Sequence, residues 1–252
     1  LERRGIDGNL WVWEGVDYSK SYMVVADVAR GDSTDYSAFH IFDIETATQV
    51  AEYKGKLSPK DFGNMLVGIA SEYNEALLVC ENANIGWATI EQILEREYRN
   101  MYYSTTNNME SVESYMYKYE RDKLVPGFTM SSRTRPLVIA KMIEYIRDKS
   151  ITIQSKRLMS EMRVFVWKNG KAQAQDRYND DLIISCATAL YVRDTALKLR
   201  QQGMDLARAQ LSSFNKLNAR NNAIIQTVGT PINNPYILKT PNGEEDISWL
   251  VK

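Results

Sequence analysis

A chain of 252 residues is long for a minimal module and short for two full-sized domains, so one main domain with an appendage is expected. Hydrophobic residues at 44% and charged residues at 25% exclude global disorder, and no run approaches the roughly 18 apolar residues of a membrane-spanning helix. One histidine and two cysteines exclude four-ligand Cys/His zinc sites and leave carboxylates as the residues able to carry chemistry. Cys80 and Cys186 sit in apolar runs and read as buried structural thiols. A nucleophile–histidine mechanism would have to use His40, and no nucleophile motif accompanies it. The N-terminus lacks the apolar region of a signal peptide, and a start at Leu1 suggests a piece of a longer protein.

Residues 22–28 form a near-continuous apolar run, which predicts a central strand buried on both faces. A turn around Gly31 follows, then an alternating strand over 36–44, a short turn at 45–48 and a strand over 49–53. These three strands read as an antiparallel meander. Ser58-Pro59-Lys60-Asp61 opens a helix, with a capping hydroxyl, proline in the first turn and an acid at the positive dipole end. Its apolar face is Phe62, Leu66, Ile69 and Ala70. A buried strand over 76–80, a helix over 86–99 carrying Ile90, Ile93 and Leu94 on one side, and a strand over 101–103 come next. Residues 104–130 read as a loop. Pro136 opens a helix with Leu137, Ala140, Ile143 and Ile146 as its apolar set. A short helix near 155–162 precedes Asn169-Gly170, a strong hairpin signal between 165–167 and 171–174. A long helix over 180–199 turns Leu182, Ile183, Cys186, Ala189 and Leu190 inward. Residues 203–252 differ in composition, with an amphipathic stretch at 204–220 and then Gly/Pro/Asn loop signals including Pro241-Asn242-Gly243.

Charge is unevenly spread. Residues 1–117 carry a net −10, residues 118–171 a net +8 and residues 172–252 a net +1. A basic middle third in a near-neutral protein points to a nucleic-acid surface, although a solvated helical face is the plainer reading of charge alone. Arg133, Arg135, Lys156 and Arg157 are its candidate DNA contacts.

Three acidic features sit at the ends of expected elements. Asp27 lies within the most buried strand, where a carboxylate is costly unless paired or bound to a metal. Glu81 ends the strand over 76–80, and Asp180-Asp181 open the last core helix. Strand ends lie side by side, and a helix packed across them can bring its first turn to the same place. Such a cluster needs cations, and all-oxygen ligands select Mg²⁺ or Mn²⁺ over zinc. Paired hard cations serve phosphodiester hydrolysis.

The stretch Val25-Ala26-Asp27-Val28-Ala29-Arg30-Gly31-Asp32-Ser33-Thr34-Asp35 resembles the nuclease half of the large terminase subunit of tailed bacteriophages. So do Val79-Cys80-Glu81-Asn82-Ala83-Asn84-Ile85-Gly86 and Tyr178-Asn179-Asp180-Asp181-Leu182-Ile183, and the likeness spans roughly residues 10–198. The resemblance implies an RNase H-like α/β fold, a mixed sheet of antiparallel meander plus parallel strands flanked by helices, with a helical or loop C-terminal tail. On that layout residues 1–20 are a linker remnant, 21–200 the nuclease domain and 201–252 the tail. The resemblance implies Asp27, Glu81 and Asp181 as catalytic carboxylates, these with Asp180 as the set that holds two Mg²⁺ or Mn²⁺ ions, and Asp35 as a supporting acid. It implies an endonuclease that cuts concatemeric double-stranded viral DNA with little sequence specificity, in the host cytoplasm. Its implied companions are an N-terminal packaging ATPase domain, the portal and the small terminase subunit. Two departures stand out: Asn179 occupies a position where the family often has histidine, and the chain holds no Gly-x-x-x-x-Gly-Lys-Ser/Thr motif, so it is not the packaging motor by itself. A junction resolvase or RNA–DNA hybrid nuclease would use the same carboxylates. An actin- or sugar-kinase-like ATP-binding domain and a non-catalytic docking module are the competing readings from other classes.

Overall fold

The structure is a computed structural model that describes residues 1–5, 7–31, 35–83, 85–105, 124–168, 170–194, 196–197, 237–240 and 243–246. The expected linker at residues 1–20 instead supplies two strands, β1 (Glu2–Arg4) and β2 (Leu10–Val12). They extend a meander made of β3 (Tyr22–Asp27), β4 (Ser37–Asp43) and β5 (Thr48–Gly55), with β2 pairing antiparallel to β5. After α1 (Pro59–Glu72), β6 (Leu77–Cys80) returns parallel to β3, which gives the sheet order β1-β2-β5-β4-β3-β6. Beyond β6 the chain adds α2 (Gly86–Glu95), the paired strands β7 (Tyr103–Thr105) and β8 (Leu124–Pro126), α3 (Thr134–Arg147) and α4 (Lys156–Arg163). The hairpin β9 (Phe165–Lys168) and β10 (Lys171–Ala174) and a last helix α5 over 181–194 follow. The unit so formed spans Leu1–Arg200. A second unit, Gln201–Lys252, contains the hairpin β11 (Ile237–Thr240) and β12 (Gly243–Asp246). The expected helix at 204–220 lies outside the described residues. No helix among the described residues is long and apolar enough to cross a membrane.

The sheet is buried on both faces. Val24, Ala26, Phe39 and Ile41 pack with α1 and α2, whose core residues are Phe62, Leu66, Ile90 and Ile93. Met23, Val25, Ala38 and Phe42 pack with α3 to α5 through Val138, Ile139, Leu158, Leu182 and Cys186. Period-two alternation along β3 therefore puts Asp27 on the α5 side, in line with Met23 and Val25. His40 on β4 faces the same way, and its Nε2 donates to the Leu182 carbonyl at 2.9 Å. Its Nδ1 accepts from Gln49 Nε2 at 2.8 Å, so the ring is a satisfied core group that burial keeps neutral, with no catalytic part.

Several elements depart from their expected outlines. α2 stops at Glu95, because Arg96 caps it and Glu97 adopts a φ of 56°. That leaves Leu94 exposed rather than on the buried side. α3 begins at Thr134, and its buried face is Val138, Ile139, Met142 and Tyr145. The expected apolar set, Leu137, Ala140, Ile143 and Ile146, faces outward. The expected strand over 101–103 is β7, two residues later. The loop read over 104–130 contains β8, and its residues 106–123 lie outside the described set.

Candidate active site

Parallel pairing of β3 with β6 ends at Ala26 opposite Cys80, so Asp27 and Glu81 fall on the next rung. Glu81 N donates to the Ala26 carbonyl at 3.1 Å, which fixes that rung. On its other side Glu81 bridges Phe128, with Phe128 N on the Cys80 carbonyl at 2.8 Å. The chain then turns into α2 at Gly86. A Cβ at Gly86 would stand 1.9 Å from the Glu81 carbonyl oxygen, so the turn that presents Glu81 excludes any larger residue. Asp180 and Asp181 arrive from across the sheet at the start of α5. Leu182 anchors that turn, donating its N–H to Glu161 Oε2 at 3.0 Å while its carbonyl accepts from His40.

Asp27, Glu81, Asp180 and Asp181 thus line one open cleft of about 540 Å³, with Asp35 and Tyr178 also on its walls. The sequence-read acids converge here, and Asp35 is an exposed member. Each inner acid already has a compensating partner. Asp27 hydrogen-bonds Glu81, an arrangement that needs a proton between the two carboxyls. Burial, reinforced by Glu81 and Asp181, holds Asp27 well above the usual carboxylate range. Burial also raises Glu81, against the hydrogen bond from Asp27 and the charge of Arg135, which lower it. Asp180 Oδ2 accepts from Arg135 Nη2 at 2.6 Å. Asp181 Oδ2 accepts from Tyr36 N and from Asn179 Nδ2, each at 3.2 Å, and lies 3.8 Å from Lys54 Nζ. Asn179 therefore orients Asp181.

Sequence reasoning missed Lys54 and Glu161. Lys54, on β5, bonds Glu161 and sits 4.9 Å above the Tyr36 ring. Burial pushes Glu161 up to about 7 despite that lysine. Neither residue lies in a motif, and only the packing of α4 against the sheet brings them to Asp181.

The basic candidates separate. Arg133 and Lys156 are exposed at the starts of α3 and α4. Arg135 belongs to the acidic cleft as a counter-ion. Arg157 departs from the expected DNA contact, because its guanidinium is committed inside the fold. Its Nε lies 2.7 Å from Glu52, which is fully buried, and its plane covers the Trp11 ring at 4.0 Å.

Among the described residues no three Asp, Glu, His or Cys side chains stand close enough to grip an ion as they are. The donor set is nevertheless all oxygen, half-buried and balanced by a proton, an arginine and a lysine. A hard divalent cation is the group that suits it.

A mixed sheet with acids at the ends of its central parallel pair, met by acids at the start of the closing helix, defines an RNase H-like fold. The fold is more narrowly that of large terminase nuclease domains. The large terminase nuclease of thermophilic phage G20c with bound magnesium aligns with a TM-score of 0.57 at 18% identity, covering 75% of this chain and 89% of that chain. The same nuclease with bound cobalt gives the same values. The Thermus phage P74-26 large terminase nuclease domain aligns with a TM-score of 0.54 at 20% identity, covering 75% and 86%. No protein-family model and no curated protein matches the sequence.

Proposed function

We propose that this chain is a metal-dependent endonuclease acting on double-stranded viral DNA, the nuclease part of a large terminase. One observation carries the reading: Asp27, Glu81, Asp180 and Asp181 line a single cleft on a terminase-nuclease fold. Asp27, Glu81 and Asp181 would hold two Mg²⁺ or Mn²⁺ ions, with Asp180 as the alternative third ligand and Asp35 supporting from the mouth. When bound, such ions activate water and stabilise the leaving oxygen of a phosphodiester. The chain's own groups prepare for this. Asn179 and the Tyr36 N–H orient Asp181, and the Gly86 turn presents Glu81. Arg135 and Lys54 would neutralise the acids until cations arrive, and burial raises the carboxyls of Asp27 and Glu81, so any proton they hold must leave as cations bind. Exposed Arg133 and Lys156 would position the duplex through phosphates without reading its sequence.

On this reading the work is concatemer cutting during genome packaging in the host cytoplasm. An ATPase domain, the portal and the small terminase subunit are its partners there. The test is supercoiled plasmid incubated with Mn²⁺ or Mg²⁺, with and without chelator. Metal-dependent nicking and linearisation that Asp27→Asn and Glu81→Gln abolish is the expected result. Faster cutting of a four-way junction or an RNA–DNA hybrid would favour the related nucleases, ATP turnover would favour the kinase-like reading, and no cutting at all would leave a docking module.

A further inference from the structure

Beside the acidic cleft, the start of α3 and the hairpin β9–β10 enclose a second opening of about 380 Å³. Its interior is apolar, formed by Met130, Pro136 and the buried residues Ile139 and Ala172. Trp167 forms one wall and is 63% exposed. The hairpin register sets Trp167 opposite Ala172, so both face the opening. An exposed indole beside an apolar hollow marks a contact surface. The rim is hydroxylic and cationic, with Ser131, Ser132, Arg135 and Lys171. Arg135 also joins the opening to the cleft, because it bonds Asp180 on the cleft wall. A volume at the lower end of small-ligand sites, an aromatic wall and a cationic rim match the parts of one nucleotide, its apolar faces and its phosphates.

Resting on the nuclease reading above, we propose that this opening is a subsite for an unpaired nucleobase of the DNA, stacked on Trp167 with Lys171 and Arg135 meeting the flanking phosphates. The base must be unpaired, because a base inside a duplex offers no free face for stacking. Such a subsite would hold a frayed or single-stranded end next to the cut. An apolar protein segment is the weaker occupant, since nothing in such a segment matches the cations at the rim.

The test is equilibrium binding in chelator, so that no cutting intervenes, of a labelled duplex with a single-stranded overhang and of the same duplex with blunt ends. Wild type should prefer the overhang. Trp167→Ala should weaken overhang binding by roughly tenfold to a hundredfold and remove the preference, the scale of one lost base–aromatic stack. Trp167→Phe should restore most of it. Trp167→Leu, which keeps apolar bulk without the ring, should behave like alanine, so a loss caused by misfolding of one variant is recognised. Lys171→Ala should lower the salt slope, which the Trp167 variants leave alone. Equal losses on both DNAs overturn the subsite, and no loss on either gives the opening to a protein segment. Failure of the nuclease reading looks different: wild type then binds neither DNA and leaves plasmid uncut with metal present.

Discussion

Arg135 Nη2 stands 2.6 Å from Asp180 Oδ2, and this contact joins the basic span of the chain to its acidic cluster. Arg135 also bears on Glu81, drawing that carboxyl down. The guanidinium occupies the electrostatic role that a divalent ion would take over, so on the proposed reading arginine and a bound metal would compete for the same acids. Arg135→Gln should therefore lower the Mn²⁺ concentration needed to stabilise the protein at pH 8. It should also weaken DNA binding, because the proposed nucleotide subsite loses one of its rim cations. A thermal melt across a Mn²⁺ titration and an anisotropy titration with duplex DNA measure the two effects. A higher Mn²⁺ midpoint would instead make Arg135 the group that orients Asp180 for the ion.

The two adjacent acids should differ in their effect on metal binding. Asp181 is the deeper, with side-chain exposure of 13% against 26% for Asp180. Its partners, Asn179 and the Tyr36 N–H, are neutral donors that orient without competing, apart from Lys54. Asp181→Asn should shrink the metal-induced melting shift more than Asp180→Asn, and Asp27→Asn should abolish it. In wild type the shift should be on the order of 5 °C at a hundredfold excess over Kd, since such an excess adds about 2.7 kcal/mol. Mn²⁺ should act at lower concentration than Mg²⁺, which gives up its waters reluctantly. The reverse order of the two asparagine variants would move the third ligand to Asp180.

Local signals were the legible ones. Ser58-Pro59-Asp61 announced α1 because cap, proline and first-turn acid act within four residues, and Ser58 Oγ accepts from Asp61 N in the structure. Asn169-Gly170 announced β9–β10 for the same reason. The acidic cluster was readable because strand ends and helix starts are topological positions. Periodicity failed at α3, where Leu137, Ala140, Ile143 and Ile146 repeat as well as Val138, Ile139, Met142 and Tyr145. Only the sheet decides which set is covered. β1 and β2 escape the sequence reading because three-residue strands carry almost no pattern. Lys54, Glu161 and the inward turn of Arg157 depend on side chains more than a hundred residues apart, and no local rule reports such contacts.

In the metal-free protein, the buried acids of the cleft should favour the fold less as pH rises. Asp27 has its folded pKa raised above the unfolded value near 4, chiefly by burial. Its contribution is then fully present below that unfolded value. It declines as the folded state keeps a proton that the unfolded state has released, and it is lost once pH passes the raised folded pKa. Glu81, Asp181 and Glu161 shift the same way. His40 opposes them, since its lowered pKa favours the fold above the usual histidine range and weakens it in acid, and so do Asp43 and Asp194, whose lowered pKa values cost stability in acid. The discriminating measurement is thus a difference: urea unfolding in chelator at pH 5.5 and pH 8, wild type against Asp27→Asn. The variant should gain on wild type at the higher pH. An equal gap at both values would mean that Asp27 is ionised throughout.

The basic candidates offer the sharpest separation of structure from binding. Glu52 is fully buried, with Arg157 Nε at 2.7 Å from its Oε1. Arg157 Nη2 also donates to the Asn9 carbonyl at 3.1 Å, tying α4 to the start of β2. Removing one partner of a buried pair leaves an uncompensated charge, which costs about 3–5 kcal/mol. Arg157 is itself 22% exposed, so solvent screening puts Arg157→Ala toward the lower end of that range. Arg133 and Lys156 are exposed, and alanine there should change stability by no more than about 0.5 kcal/mol. On DNA the order should invert. Each phosphate contact contributes a slope of about −0.9 in log affinity against log salt, so the double variant Arg133→Ala, Lys156→Ala should bind more weakly and with a shallower slope. Arg157→Ala, measured at a temperature where it remains folded, should keep the wild-type slope. Urea melts and salt-dependent anisotropy on the same samples decide the matter. A reduced slope in Arg157→Ala would return that residue to the DNA surface, and an unchanged slope in the double variant would leave Arg133 and Lys156 as a solvated face.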